Sequence, residues 1–567
     1  MRSVPLAALA LLLAACGASQ RPTPHTASDE RARLVVVVVY DQVGSWALEE
    51  HWDRLSPEGA LHRTARAGRR FTHVEYEYAA TLTAPGHAAI HSGAMPWQSG
   101  VGSNRVWSRD RGARLSVMDD GVHPLLGRPD AFAGPGVLRV PTVGDVLRET
   151  SRGHSRVVSL GMKDRSAILP GGRRPDLCLW FDAHAGGFTT STYYADALPE
   201  WLVSWRESHP WQARATSWEP LGAARWEREL GPDERTGEGD YGWDARFPHD
   251  PSVHHEAFLA SPGSTEHLLE LARAAVLELE LGADEHVDLL ALSIASTDYV
   301  GHAFGGESWE YVDGLVRSDA ALGAFLDELS QRTRVAVLLT PDHGAAPLVE
   351  RSLERGHADA VRWSTEPSLV ELRAHLDATL GPRSEGPWIE AWVQPYVVLP
   401  RALAGTPDHA RVLDATLAWL RARPGIAYAI DVRSAAELRE LEPIPRLPTP
   451  QPGVRGVASA SIEIARDEAH ELAMIGRSIP ADPPGDILVI PAPYSVSQED
   501  QALHSGTHHG SPWPYDTRAW VIASGPGVSA GTDDTALAQT RVAATIARLL
   551  GIDAPPGVPA EPLPGVD

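Results

Sequence analysis

Residues 34–40 read Leu-Val-Val-Val-Val-Val-Tyr and run directly into Asp41-Gln42. Seven apolar, mostly β-branched residues with no polar alternation describe a strand covered on both faces, and such strands belong to parallel sheets flanked by helices. Comparable runs recur at Arg156 to Met162, Val287 to Ile294, Val335 to Thr340, Asp486 to Ile490 and Ala519 to Ala523. Helical patterns fall between several of them: Thr142 to Thr150 with Thr142 as N-cap, Glu266 to Leu281, and Tyr311 to Leu329. Strands alternating with helices predict an α/β fold, a mostly parallel central sheet with helices on both faces. Two stretches break the pattern and are expected as insertions. One spans about 171–262, is rich in Trp, Pro and Gly, and is expected to cap the sheet, with the tryptophans from Trp201 to Trp243 forming its own core. The other spans about 350–480 and contains a Pro-rich break from Glu442 to Val454. One catalytic domain is thus expected over residues 34–550, followed by a Pro-rich tail at 551–567.

Four of the runs end in residues capable of chemistry. The first ends in Asp41, the second in Lys163-Asp164-Arg165, the third leads to Asp298 and His302, and the fourth ends in Pro341-Asp342-His343-Gly344. Ligands of open α/β sheets bind at the carboxyl ends of strands. A single polar strand end carries little information, but four at one edge define a candidate site. Asp298 and His302, four apart, share a helical face or a tight turn, and Gly344 lets the backbone turn at Asp342-His343. With Asp41 and an imidazole from Thr507-His508-His509-Gly510, there are enough ligands for two ions. Carboxylate–imidazole sets suit Zn²⁺, and paired ions about 4 Å apart clamp phosphoryl groups in transfer. In Thr81-Leu-Thr83-Ala-Pro85-Gly-His87, Pro85 suits the first turn of a helix. Thr83 then lies at a helix N-terminus, as an ordinary cap or as a nucleophile for which unpaired N–H groups favour negative charge.

The chain has 567 residues with 74 acidic and 50 basic side chains, a net charge of −24. That balance excludes a nucleic-acid coat or a polybasic membrane binder, both of which need clustered cations. With 43% apolar and 22% charged residues the composition is that of a globular protein. Among the basic residues Lys163 is the one lysine, the rest being arginine. At the N-terminus, Met1-Arg2 precedes an apolar stretch from Val4 to Leu13 that ends Leu13-Ala-Ala-Cys16-Gly17. This resembles the bacterial lipobox. Residues 1–15 are expected as a lipoprotein signal peptide, Cys16 as the lipidated first residue, and 16–33 as a tether. The mature chain would be a periplasmic or cell-surface lipoprotein, anchored at the outer membrane through acyl chains on Cys16. Cys178 is the other cysteine, expected as a packed residue.

Six motifs occur together and in order: Tyr40-Asp41-Gln42, Thr81-Leu-Thr83-Ala-Pro-Gly-His87, Lys163-Asp-Arg165, Ser296-Thr-Asp298-Tyr-Val-Gly-His302, Pro341-Asp342-His343-Gly-Ala-Ala and Gly506-Thr-His-His509-Gly-Ser-Pro. Across residues 34 to 525 the chain thereby resembles the PafA-type, phosphate-irrepressible branch of the alkaline phosphatase superfamily, which is similar to type I phosphodiesterases and nucleotide pyrophosphatases. The resemblance implies an alkaline phosphatase-like sheet and two Zn²⁺ per chain. One zinc would be held by Asp298, His302 and His509, the other by Asp41, Asp342 and His343 with the Thr83 alkoxide. Thr83 would form a phosphothreonine that water then hydrolyses. His508 beside His509 leaves the ligand open, and register against Gly510-Ser511-Pro512 favours His509.

A phosphate monoester is a dianion with bare non-bridging oxygens, so its site gains from added cations. Lys163 and Arg165, two apart at a strand end, project to the same side, and Arg165 offers two parallel hydrogen bonds. Asn104 matches the family's amide donor, although Arg105 replaces the acidic or amide residue that usually follows it. The Lys-x-Arg pair favours small phosphate monoesters as substrates, with a monomer expected. Phosphodiesterase, pyrophosphatase or phosphonate hydrolase activity on the same scaffold is the alternative, and an inactive phosphate-binding lipoprotein a distant one. A sulfatase would need a Cys or Ser nucleophile, which Thr83 does not supply.

Overall fold

The computed structural model describes residues 31–243, 245–442, 464–498 and 506–567. The expected leader with Cys16, the tether up to residue 30, and the Pro-rich break beyond Glu442 lie outside the described residues. Ten strands form the central sheet: β1 (Leu34–Tyr40), β2 (Arg69–Glu75), β3 (Val157–Gly161), β4 (Leu177–Asp182), β5 (Gly187–Thr189), β6 (Asp288–Ile294), β7 (Val335–Thr340), β8 (Arg518–Ser524), β9 (Gly531–Asp533) and β10 (Leu537–Ala538). Their order is β9-β2-β8-β7-β1-β6-β3-β4-β5, with β10 also on β2. From β7 through β1, β6 and β3 to β4 all pairings are parallel. β8 runs antiparallel to both of its neighbours, and β5 runs antiparallel to β4.

β1 explains its own sequence. Leu34, Val36, Val38 and Tyr40 enter one apolar core, while Val35, Val37 and Val39 enter the other. The strand has a two-residue period, but both of its faces are buried, so no polar alternation survives in the sequence. Among the helices, α1 (Thr83–Ser92), α2 (Asp164–Gly171), α3 (Ser296–Phe304) and α4 (Trp309–Arg332) matter most for the site. α4 and the helix Pro262–Glu278 cover the first face through residues such as Leu322, Phe325 and Leu271. On the second face lie Ala89 and Ile90 of α1, the helix Val143–Thr150, and Val542 and Ile546 of the helix Arg541–Leu550. Thr142 caps its helix as expected, its side chain accepting from the Asp145 N–H at 3.1 Å while Asp145 Oδ2 accepts from the Thr142 N–H at 3.0 Å.

Four sequence expectations need correction. The run Ala519 to Ala523 is a central strand, but antiparallel to both neighbours, and the chain reaches it after leaving the central sheet for a separate four-stranded one. Asp486 to Ile490 forms no part of the central sheet. As Ile487–Pro491 it pairs antiparallel with Tyr396–Val398 and Ile426–Asp431 in a four-stranded sheet with its own core, which includes Leu372, Trp392 and Leu417. The first expected insertion begins too early, since residues 177–189 supply β4 and β5. Beyond them the tryptophans are structural. Trp218 and Trp226 are buried, and both donate their indole N–H groups to Asp313 on α4, at 2.8 and 3.3 Å. The C-terminal segment expected as a tail packs down, with Leu563 and Val566 buried in the second core. No helix among the described residues is long and apolar enough to cross a membrane.

Candidate active site

The four site-bearing strands are consecutive in the sheet, in the order β7-β1-β6-β3. Because they are parallel, Asp41, Asp298, Lys163 and Asp342-His343 all emerge from one edge. Sequence separations of up to 302 residues thus collapse onto one surface. Asp298 and His302 lie one turn apart on α3. One ligand atom each from Asp41, Asp342 and His343 falls within 4.8 Å of the others, and the same holds for Asp298, His343 and His509. His343 Nε2 is 3.4 Å from Asp41 Oδ1 and 3.5 Å from Asp342 Oδ2. On the other side Asp298 Oδ1 is 3.3 Å from His302 Nε2 and 3.5 Å from His509 Nε2. The His343 and His509 rings stack at 3.6 Å between centroids, so His343 stands between the two groups. His302, expected with Asp298 and His509, touches Asp298 but falls outside both groups, its place beside them taken by His343, and the half-buried His508 belongs to neither as well.

Each of these imidazoles is oriented by the backbone. His302 Nδ1 donates to the Thr507 carbonyl (2.9 Å), His343 Nδ1 to Gly344 (2.9 Å) and His509 Nδ1 to Thr81 (2.7 Å). A proton on Nδ1 leaves the Nε2 lone pair facing the carboxylates, the tautomer that a metal ligand requires. Asp41 Oδ1, Asp298 Oδ1, Asp342 Oδ2 and His343 Nε2 are all buried without a hydrogen-bond partner. Buried polar atoms are normally satisfied. Convergence of four unsatisfied ones on two points is what a pair of divalent cations would complete, so the donor set fits such ions.

The electrostatics point the same way. Burial, then the neighbouring Asp298 and Asp342, pushes the Asp41 carboxyl well up. Burial and Asp298 push Asp342 up to about 7. Asp298 goes the other way, because His302 and Lys163 outweigh its burial. Burial holds His343 and His509 below the usual imidazole range, hence neutral. The Lys163 ammonium lies 2.6 Å from Asp41 Oδ2 and 2.5 Å from Asp298 Oδ2. The ammonium thus lies between the Asp41 and Asp298 carboxylates. Its charge is held against burial by Asp298 and Asp41.

Thr83 is the first residue of α1 and is buried at its N-terminus. Gly86, one turn on, is where α1 crosses the β7 end. A Cβ there would lie 2.4 Å from the Asp342 carbonyl oxygen. Asn104 Oδ1 accepts from the Ala84 N–H at 2.8 Å, which fixes the carboxamide orientation and leaves its NH₂ free to donate elsewhere. Asn104 lies at the root of a hairpin, Arg105–Ser108 with Ala113–Ser116, and Ser116 Oγ donates to Asp164 Oδ2 at 2.5 Å. Asp164 Oδ1 accepts from the Arg165 N–H at 2.7 Å, so the hairpin root ties Asn104 to the Lys163-Asp164-Arg165 turn. At its tip, Glu390, beside the four-stranded sheet, accepts from Trp107 Nε1 (2.9 Å) and Arg109 Nε (3.2 Å).

Three contributors had no role assigned from sequence. His87, four residues after Thr83 on one helical face, has Nδ1 2.9 Å from the Thr83 carbonyl and 3.1 Å from Asp342 Oδ2. Its Nε2 lies 3.0 Å from Ser293 Oγ, and burial lowers the ring to about 4, so it is a neutral positioning group. The i, i+4 spacing was its signal. Gln42 adopts φ +70°, and its backbone N–H donates to Asp342 Oδ1 at 3.1 Å. Ser116 carried no signal, because its partner is 48 residues away.

Comparison with known proteins agrees with this geometry. The family model for type I phosphodiesterase / nucleotide pyrophosphatase matches residues 35–373. Alkaline phosphatase PafA of Elizabethkingia meningoseptica is 28% identical over 94% of each chain. Alkaline phosphatase PhoV of Synechococcus elongatus is 26% identical over 95% of this chain and 94% of its own. The crystal structure of wild-type PafA aligns with a TM-score of 0.80 at 27% identity, covering 94% of this chain and 99% of that one. A PafA variant with a threonine, an asparagine, a lysine and an arginine replaced aligns alike, with a TM-score of 0.79.

Proposed function

The chain belongs to the type I phosphodiesterase / nucleotide pyrophosphatase family, in its PafA-type alkaline phosphatase branch, and from that premise we propose that it hydrolyses phosphate monoesters through a phosphothreonine. Phosphoester hydrolysis is the activity of the family, and two Asp/His groups able to hold metal ions lie at the site. The finer reading rests on one observation: the chain's single lysine reaches the centre of the site and contacts Asp41 and Asp298. A cation within that reach can meet the non-bridging oxygens of a phosphoryl group bound there. The threonine, asparagine, lysine and arginine replaced in the PafA variant are the residue types of Thr83, Asn104, Lys163 and Arg165, which supports treating these four as one constellation.

Two divalent ions, one held by Asp41, Asp342 and His343 and the other by Asp298, His302 and His509, would supply Lewis-acid charge and lower the pKa of the nucleophile. The remaining work falls to the chain. Thr83 Oγ1 attacks phosphorus in line with the departing alcohol, its proton leaving to solvent, and the α1 N-terminus stabilises the added negative charge. Asn104 NH₂ donates to one non-bridging oxygen and Arg165 to others, with Lys163 adding a compact ammonium. Water then attacks the phosphothreonine, releasing inorganic phosphate and restoring Thr83. We place the mature protein outside the cytoplasm, anchored through Cys16 and acting on small substrates.

Rates for matched aryl mono- and diesters test this reading. Thr83→Ala should reduce turnover of both to background. Lys163→Ala should cost monoesters roughly a hundredfold or more and diesters far less, because a diester carries one charge fewer on its non-bridging oxygens. Diester turnover exceeding monoester turnover in the wild type would favour a diesterase.

A further inference from the structure

Asp516 and Thr81 belong to neither ligand group, yet both hold the loop that carries His509. Asp516 lies in the short helix Pro514–Thr517, between His509 and β8, and is buried. Its Oδ2 accepts from the Gly510 N–H at 3.1 Å, the Ser511 N–H at 3.0 Å and the Ser511 hydroxyl at 2.5 Å. Its backbone carbonyl accepts from the Gly344 N–H at 2.9 Å, directly after His343. The approach is tight, since a Cβ on Gly344 would lie 2.0 Å from the Tyr515 carbonyl oxygen. Thr81, also buried, grips the same loop. Its carbonyl takes the His509 Nδ1–H, and its Oγ1 donates to the Ser511 carbonyl and accepts from the Ser511 N–H, both at 3.1 Å. His509 is thereby tied both to Asp516 and to the segment that leads into Thr83.

We propose that Asp516 is a positioning residue, with Thr81 as its partner, that aims His509 and so sets how tightly a divalent ion is held beside Asp298. The proposal rests on the metal-dependent reading above and deepens it by assigning that affinity to residues outside the ligand groups. His509 Nε2 lies 3.5 Å from Asp298 Oδ1 with its ring already oriented, so an ion would find this ligand in place. Burial pushes the Asp516 carboxyl well up from its ordinary value, so it serves as a hydrogen-bond acceptor rather than as a charge. Asp516 Oδ1 has no partner among the described residues. An amide at position 516 can therefore stand in, its oxygen taking the three bonds of Oδ2 and its NH₂ the place of Oδ1. Alanine would remove the acceptor of the Gly510 N–H, and the turn after His509 would lose its anchor.

Asp516→Ala, Asp516→Asn and Thr81→Val test this in the full chain, stripped by chelator and titrated with Co²⁺, whose visible absorption reports the surroundings of each ion. The wild type should take up two ions. Asp516→Ala should bind one of them as the wild type does and the other about ten- to a hundredfold more weakly, the loss typical when a group behind a ligand is removed. The Asp516 backbone carbonyl, which serves Gly344, survives every substitution, so the ion beside Asp41 should keep its affinity. Thr81→Val should weaken the same ion as Asp516→Ala by about tenfold, and it carries the test if Asp516→Ala does not fold. Asp516→Asn should show the wild-type absorption and an affinity within about threefold of the wild type, because the acceptor is kept. Wild-type affinity in both Asp516→Ala and Thr81→Val, equal weakening of both ions, or an Asp516→Asn variant no better than Asp516→Ala overturns the positioning role. Co²⁺ uptake without monoester hydrolysis by the wild type would sink only the monoesterase reading, and no uptake at all would sink both.

Discussion

Asp342 shows what the site asks of single residues. Its carboxyl is pushed to about 7 by burial first and Asp298 next, against an ordinary value of 3.8. Between those values the folded chain keeps a proton that the unfolded chain has lost. Its contribution to stability is therefore full below the ordinary value and disappears as pH rises through about 7. Chelator-treated protein should lose thermal stability across that window, and Asp342→Asn should flatten the loss. Thermal melts at a series of pH values check this, and an unchanged slope in the variant would contradict it. Divalent ions reverse the logic by favouring the ionised carboxylate, so their affinity should climb over the same range. Lys163 is the counterpart, a cation retained in a buried place because two carboxylates lie within 2.6 Å.

Two elements position Thr83 and Asn104, one by close approach and one by hydrogen bonds. α1 sits on the β7 end only because residue 86 is Gly, the Asp342 carbonyl oxygen lying 2.4 Å from where a Cβ would stand. Gly86→Ala should shift the helix that carries Thr83 and cost on the order of a hundredfold in kcat, since misplacement by an ångström has that effect. Circular dichroism should show the fold intact. The hairpin rooted at Asn104 and Ser116 is pinned at its tip by Glu390. Glu390→Ala should lower monoester kcat/KM by about tenfold through Asn104, and Glu390→Gln, which keeps an acceptor for Trp107, should restore most of it. The element scale is also where sequence reading divided. β1 was legible because burial on both faces writes an unbroken apolar run. Asp486 to Ile490 reads with equal ease as a strand, yet it pairs outside the central sheet, because a short buried run carries no mark of its partner. Ser116 was illegible, since its meaning lies in a hydrogen bond to Asp164 across 48 residues.

At the scale of the whole molecule, a net charge of −24 surrounds a site for anions. Long-range repulsion of a phosphate dianion should be relieved by salt. kcat/KM should therefore rise, by roughly twofold, as ionic strength goes from about 0.02 to 0.2 M. A fall with salt would mean that the local cations dominate at a distance as well. On the proposed reading, the groups that would draw substrate in are confined to the sheet edge, where Lys163, Arg165 and the two Asp/His groups lie. The α/β class, the four strand ends that carry chemistry, and the residue types able to hold metal and phosphate are written in the chain, because strand burial and ligand chemistry are local properties. That β7, β1, β6 and β3 are neighbours, that His343 stands between both ligand groups, and that Lys163 lies between Asp41 and Asp298 emerge only on folding. Those are consequences of pairing and packing between segments hundreds of residues apart, and no local pattern in a chain encodes which distant segment will fill the other side of a sheet.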